Sequence, residues 1–205
     1  DKHVSFAMTS PHLLDGVMLP SIKQHPDAKW KISVANIKKC LDLLKSGKVD
    51  FCIASPGIWD RNIETTICIE DELFAAISKN HPFVNKSTVT LEEILTQRLI
   101  TLVGDNDFRR AIDEVFRYHG LEPEYHIECD HTTRNILISE NQGVSITVSS
   151  AQKRGIFNND TCFVPIKGDN LPKIPITMSH MTGRYLTSYA KMFMKQILDF
   201  YKGLR

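Results

Sequence analysis

A surplus of charge of either sign is missing from this chain. Its 205 residues carry 25 Lys plus Arg against 24 Asp plus Glu, a formal net charge of +1. Nucleic-acid-binding surfaces are usually strongly basic, so these residues give no electrostatic reason to expect direct nucleic-acid contact. Also missing is any run of 18 consecutive apolar residues, which argues against a membrane span. With 10 Gly and 9 Pro, the composition is not that of a collagen-like or low-complexity chain. Disulfide spacing is absent too. The five cysteines, Cys40, Cys52, Cys68, Cys129 and Cys162, are odd in number and contain no Cys-x-x-Cys pair. That disfavours a secreted disulfide scaffold and favours a reducing compartment, with Cys40, Cys52 and Cys68 acting as small hydrophobes in apolar patterns. What remains is an ordinary globular composition, 42% hydrophobic and 24% charged. A chain of this length can bury roughly 70% of its unfolded surface without staples.

The first residues, Asp1-Lys2-His3-Val4-Ser5-Phe6, show neither an initiator Met nor a signal-peptide core, and a strand-like pattern begins almost at once. The expectation is a fragment cut at a domain boundary. Residues 4–8 read as a strand. Thr9-Ser10-Pro11 then offers a helix start, with hydroxyls as N-cap candidates and Pro in the first turn. Leu13, Leu14, Val17, Met18 and Ile22 continue at helical spacing over about 12–24, with Pro20 predicting a kink or early end. Trp30, Ile32 and Val34 alternate as a second strand. Asn36 can cap a helix carrying Ile37, Cys40, Leu41 and Leu44 that stops at Gly47. The apolar run 49–54 is what a parallel strand buried on both faces looks like.

After an alternating strand at 63–69 and an apolar one at 73–77, Thr90-Leu91-Glu92-Glu93 forms a capping box. Further strand–helix units follow at 99–119 and 125–140, with strands at 144–148, 163–166 and 174–181. A final helix at 188–201 carries Tyr189, Met192, Phe193, Ile197 and Phe200 on one side. Strand–helix repetition with a break near 70–72 predicts two α/β lobes built on mostly parallel sheets. His126-x-x-Cys129-x-His131 faintly resembles a metal site. In a strand, however, Cys129 and His131 face one way and His126 the other, and no second ligand pair of zinc spacing occurs, so no metal is expected.

Ligands of open α/β sheets bind beyond the C-terminal ends of the strands. Those ends carry hydroxyl and amide side chains at Thr9, Ser10, Asn36, Ser55, Asn106, Thr132, Thr133 and Thr147, beside His12, Phe108 and His131. Several polar loops therefore converge on one predicted cleft. Thr9 and Ser10 could present helix N–H groups to an anion or serve only as a cap. Asn36 and Ser55 could donate to a ligand or close a turn. Phe108 is cleft wall or core. His131, Thr132 and Thr133 could bind a carboxylate or cap their helix. Arg109, Arg110 and Arg134 are the nearest cations, and Arg134 is the candidate for bidentate contact with a carboxylate. Lys38-Lys39 reads as a solvated helix face.

Several strings in this order resemble the effector-binding domain of LysR-type transcriptional regulators. Leu44-Lys45-Ser46-Gly47-Lys48-Val49-Asp50-Phe51-Cys52-Ile53 is similar to the family's Leu-x-x-Gly-x-hydrophobic-Asp-x-x-Ile segment. His81-Pro82-Phe83, Val89-Thr90-Leu91-Glu92-Glu93-Ile94 and Leu99-Ile100 follow at family spacing. So do the helix from Phe108 to Leu121 with Pro123 beyond it, and Gly143-Val144-Ser145-Ile146. The likeness spans essentially the whole chain, with Val148 and Asn141 standing where the family carries Pro and Gly. It implies a fold like type 2 periplasmic binding proteins. Lobe I would be 1–72 plus 175–205, lobe II 73–174, joined by crossover strands.

The same likeness implies a missing N-terminal winged helix-turn-helix that contacts DNA. It implies a homodimer through the helices near 12–24 and 107–119, a tetramer in the full-length protein, and a cytoplasmic location. The expected mechanism has no catalytic residue, cofactor or metal: a small effector, a carboxylate or other anion, biases the lobes and the oligomer. Peroxide-sensing members use a lobe II cysteine pair, but residues 98–128 contain no Cys, so that chemistry is not expected. Two other classes share such a fold. A transporter's solute-binding protein should carry a signal peptide and few free thiols. An enzyme should assemble an acid–base or nucleophile–base set, for which Asp105, Asp107, Asp130 and His131 are loose candidates without a motif.

Overall fold

A computed structural model describes residues 2–205. Two compact units divide the chain, Asp1–Glu70 with Pro175–Arg205, and Asp71–Ile174. The first is built on a five-stranded sheet ordered β2-β1-β3-β10-β4. Strands β1 (His3–Met8), β2 (Lys29–Val34) and β3 (Phe51–Ala54) are parallel, while β10 (Ile174–Met181) runs antiparallel to β3. Strand β4 spans Ile63–Asp71.

Alternation along β1 sends Val4, Phe6 and Met8 to one face and Ala7 to the other, and each face has its own cover. On the first lies α7 (Ser188–Lys202), where Phe6 stacks on Phe51 at 5.3 Å and Phe193 packs against both, with Trp30 edge-on to Phe193 at 5.1 Å. The buried stripe of α7 is Ala190, Phe193, Met194, Ile197 and Tyr201. Met192 and Phe200, expected inward, are only partly buried, because the stripe is rotated by about one residue. The Tyr201 hydroxyl donates to the Leu13 carbonyl. On the opposite face α2 (Ile37–Lys45) places Cys40 and Leu44 over Ala7, Cys52 and Ala54.

The predicted helix at 12–24 is corrected. Residues 9–17 are turns, and α1 covers only Met18–Gln24. Gly16 explains the late start. It sits at φ +94°, a left-handed conformation that ends any helical path, and a Cβ there would meet the Phe200 ring at 3.0 Å. Pro20 then falls in the first turn of α1, where its missing N–H costs nothing, so it neither kinks nor ends the helix.

In the second unit β6 (Leu99–Leu102) and β7 (Tyr125–Cys129) are parallel, and a parallel bridge from Leu99 to Val144 sets β6 beside the start of β8 (Ser145–Val148). The approach is close enough that a Cβ on Gly143 would sit 2.6 Å from the Arg98 carbonyl oxygen. The expectation of mostly parallel sheets fails for the rest of this unit. Strand β5 (Leu73–Ser78) runs antiparallel to both β8 and β9 (Thr161–Pro165). An apolar run records that a strand is buried, not its direction.

Helices α4 (Asp107–Tyr118) and α3 (Leu91–Leu95) help enclose a core containing Phe116, Ile112, Ile94, Ala75 and Ile77. A smaller cluster joins Ala76, Ile100 and Ile138, the last on α5 (His131–Ser139). Helix α6 (Ser149–Arg154) lacks a cap of its own, since its N-cap residue is Val148. The fully buried Asp71 supplies one, accepting from Ser150 N at 2.9 Å, Ser150 Oγ at 2.7 Å and Ser149 Oγ at 2.9 Å. Asp71→Ala strands these donors, and a loss of about 2–4 kcal/mol is expected from a lower urea midpoint at unchanged slope. A loss below about 0.5 kcal/mol would contradict the capping role.

Candidate ligand-binding site

In the first unit three parallel strands finish on one edge. Thr9 N donates to the Ile53 carbonyl at 3.1 Å and Ala35 N to the Met8 carbonyl at 3.0 Å, so the three strand ends are tied together. Ser55 N donates to Thr9 Oγ1 at 3.0 Å, and that hydroxyl donates weakly to the Ser55 carbonyl at 3.5 Å. Ser55 is 8% exposed, and its own hydroxyl oxygen is buried with no partner among the described residues. A buried hydroxyl left without a partner costs about 1–3 kcal/mol, so it marks a place that gains from an added group.

The other predicted residues of this edge are placed differently. No helix begins at Thr9-Ser10, so no row of free helix N–H groups is presented there. Ser10 Oγ instead accepts from His12 N at 3.4 Å, and His12 Nδ1 lies 2.9 Å from Asp15 Oδ2. Asn36 is the N-cap of α2, accepting from Lys39 N at 2.9 Å.

In the second unit β6 and β7 run parallel and finish on one edge, and a single parallel bridge from Leu99 to Val144 sets the start of β8 beside β6. Asn106 caps α4, accepting from Arg109 N at 2.9 Å. Phe108 packs against the core of this unit and lines a narrow cavity of about 20 Å³, together with Thr101, Ser145 and Arg134. That volume holds about one water. His131, Thr132 and Thr133 do not cap α5. Asp130 does, accepting from Thr133 N at 2.8 Å, and this bond holds its carboxyl below the usual range. A carboxylate already at the helix end leaves no vacancy there for an anion. Thr147 is not in a loop but inside β8, buried and paired with Phe74.

The arginines separate sharply. Arg109 reaches Glu128 at 2.6 Å, the Leu102 carbonyl at 3.1 Å and Asp113 at 3.5 Å. Arg110 reaches Asp105 at 2.9 Å and Asp107 at 2.5 Å. Arg134 is 4% exposed, and its Nε and Nη2 donate at 3.2 Å only to the neutral Asn135 Oδ1. Its guanidinium also lies 5.3 Å from the Phe157 ring centroid, and among the described residues no carboxylate pairs with it. Burial depresses its pKa to about 10. A shift of that size corresponds to about 3 kcal/mol of charge burial carried at neutral pH. Residues 134 and 138 are one helical turn apart and form the buried face of α5. That spacing was a signal in the sequence, whereas the supports from Asn135 and Phe157 were not.

His126 is used by the backbone, its Nδ1 accepting from Leu99 N at 3.2 Å. Among the described residues no group of three or more His, Cys, Asp or Glu could hold a metal ion. Asp105 and Asp107 are bound to Arg110 and Asp130 to its helix, so these carboxylates do not assemble an acid–base pair.

Residues 3–202 match the family model of the LysR substrate binding domain. The chain belongs to that family. It is 22% identical over 194 residues to YybE, an uncharacterised HTH-type transcriptional regulator of Bacillus subtilis strain 168, covering 92% of this chain and 65% of that protein. It is 22% identical over 191 residues to a probable RuBisCO transcriptional regulator of Guillardia theta, covering 87% of this chain and 59% of that protein. The chain thus spans about two thirds or less of these regulators.

Among solved structures, the BenM effector binding domain with its effector benzoate superposes with a TM-score of 0.78 at 18% identity, covering 100% of this chain and 95% of that one. The effector binding domain of QuiR in complex with shikimate gives 0.71 at 18% identity, covering 98% and 97%. The fold is therefore that of LysR effector-binding domains, α/β of the type 2 periplasmic-binding-protein kind. The family is one of regulators, and among the described residues no helix is long and apolar enough to cross a membrane.

The thiols of this LysR-family domain divide by burial. Cys40, Cys52 and Cys68 are buried, whereas Cys129 and Cys162 are half-buried. Burial pushes the Cys68 thiol up to about 12, and a hydrogen bond with Cys40 followed by burial raises Cys52. Thiolates are the reactive form, so Cys52 and Cys68 are inert in the folded chain, and Cys40 is shielded from reagents by its burial. A thiol-disulfide reagent at pH 8 is expected to label no more than Cys129 and Cys162 until denaturant is added. Rapid labelling of Cys40, Cys52 or Cys68 under native conditions would contradict the placement.

Proposed function

We propose that this chain is the effector-sensing part of a longer LysR-type transcriptional regulator and that it binds a small molecule through polar residues at C-terminal strand ends. Membership of the family supports the regulatory role, and the partnerless Ser55 hydroxyl beside Thr9 is the observation that carries the binding role. By this reading the chain catalyses nothing. DNA contact belongs to residues outside it, and its free thiols suit a reducing, cytoplasmic setting.

The ligand works by binding one conformation of the regulator better than another. A tenfold preference is worth about 1.4 kcal/mol, and a complete switch requires about 5.5 kcal/mol. Homo-oligomers form through α1 and α4, which present the exposed Leu19 and the 73% exposed Tyr118 respectively. Thr9, Ser55, Asn106, Phe108, Thr132 and Arg134 are retained as ligand-facing candidates. Ser10, His12, Asn36, His131 and Thr147 are assigned supporting positions around them.

The reading is tested by calorimetry and thermal shift against small carboxylates, amino acids, sugar phosphates and neutral sugars. At a hundred times its dissociation constant a ligand should stabilise the chain by about 2.7 kcal/mol. Ser55→Ala should weaken that ligand about tenfold while leaving the free chain as stable or slightly more so. A hit unaffected by Ser55→Ala, or a panel without a single hit, counts against the reading.

A further inference from the structure

Every other charged group buried to a similar degree in this fold is answered by its surroundings. Asp50 accepts from Ser5 N at 2.7 Å and Ser5 Oγ at 3.0 Å. Asp71 is saturated by the Ser149 and Ser150 donors of α6. Arg134 differs: it carries a full charge, lies within the second unit at 4% exposure, and meets one neutral amide oxygen and one aromatic ring. Burial is the main cause that lowers the pKa of Arg134, with Cys129 raising it and Arg154 lowering it by smaller amounts.

A guanidinium offers two parallel-donor edges. Asn135 Oδ1 occupies the Nε and Nη2 edge, and Asn135 is itself fixed, its Nδ2 donating to the Ile156 carbonyl at 3.2 Å. The edge formed by Nη1 and the second Nη2 hydrogen has no protein acceptor among the described residues. Paired parallel N–H groups match the two oxygens of a carboxylate.

We infer that Arg134 is the charge-selecting residue of the ligand site, held by Asn135 so that its open edge receives the acid group of a small carboxylate. The adjoining cavity, at about 20 Å³, admits oxygen atoms of a head group but not a ligand body. Selection by an interior guanidinium is stringent, because a neutral analogue leaves the charge buried and unpaired. This inference rests on the effector-binding reading above, and adds to it the chemical class of the ligand and the residue that reads it.

The test uses the 205-residue chain with acetate and phenylacetate as probes, acetamide and phenylacetamide as their neutral counterparts, and ionic strength held constant. Thermal unfolding and calorimetry are recorded for wild type, Arg134→Met, Arg134→Lys and the exposed control Arg117→Met. The wild type and the control are expected to be stabilised by the acids and not by the amides. Arg134→Met should lose that response, at least about tenfold in affinity, and unfold at a higher temperature than wild type without ligand, because an uncompensated charge has been removed. Arg134→Lys keeps the charge without the fork and should fall between them, which preserves the test if the Met variant folds poorly.

The absence of an acid-specific response in the wild type overturns the inference. So does an equal response in Arg134→Met, or an equal response to the amides; both of these leave the effector-binding reading standing, with the ligand read by other residues.

Discussion

Parallel strands must finish together, and most of what this chain can do follows from that constraint. Once β1, β2 and β3 pair in one direction, the residues after each of them arrive on a single edge, however far apart they lie in sequence. Thr9 and Ser55 are 46 positions apart and share two hydrogen bonds. Apolar side chains hold the strands in that register from both faces, Phe6, Phe51 and Phe193 on one and Cys40, Leu44 and Ala54 on the other. The second unit repeats the arrangement only in part, with β6 and β7 as its parallel pair. There the antiparallel β5 and β9 form a second sheet with β8, joined to β6 by a single bridge.

Against this background the Ser55 hydroxyl is buried without a partner, as is the Trp30 indole N–H, and the buried Arg134 guanidinium meets no carboxylate among the described residues. A fold that caps α6 with a carboxylate from another strand has the means to answer buried polar groups. Leaving Ser55 and Arg134 unanswered costs stability, and such costs concentrate where a ligand supplies the missing partner. In the proposed site the hydroxyl would contribute a modest hydrogen bond and the guanidinium discrimination, since removing its counter-charge is far more expensive than removing a neutral partner.

The order of strands and helices was legible because periodicity and capping residues are local signals. Thr90 and Glu93 form the capping box that their spacing implies, and Asn36 and Asn106 cap the helices they precede. The late start of α1 was not legible, because Gly16 acts through its conformation and its approach to Phe200, nearly the whole chain away. Strand direction in the second unit was hidden for a related reason, since pairing between β5 and β9 is set by tertiary partners. At the site, the residue types were readable and their roles were not. By sequence the cap of α5 lies among His131, Thr132 and Thr133, and the backbone geometry gives it to Asp130.

The most direct measurement of the whole account is a two-dimensional 15N–1H spectrum of the chain recorded while the tightest-binding acid is titrated in. The largest shifts are expected at C-terminal strand ends, at the amides of Thr9, Ser55, Asn106, Thr133 and Arg134, with the Arg134 Nε–H resonance moving alongside them. Gly47 and Gly120, which lie at the opposite ends of β3 and β7, should stay still. Shifts centred on Gly47, Gly120 or the exposed face of α4, with Ser55 and Arg134 unmoved, would contradict it.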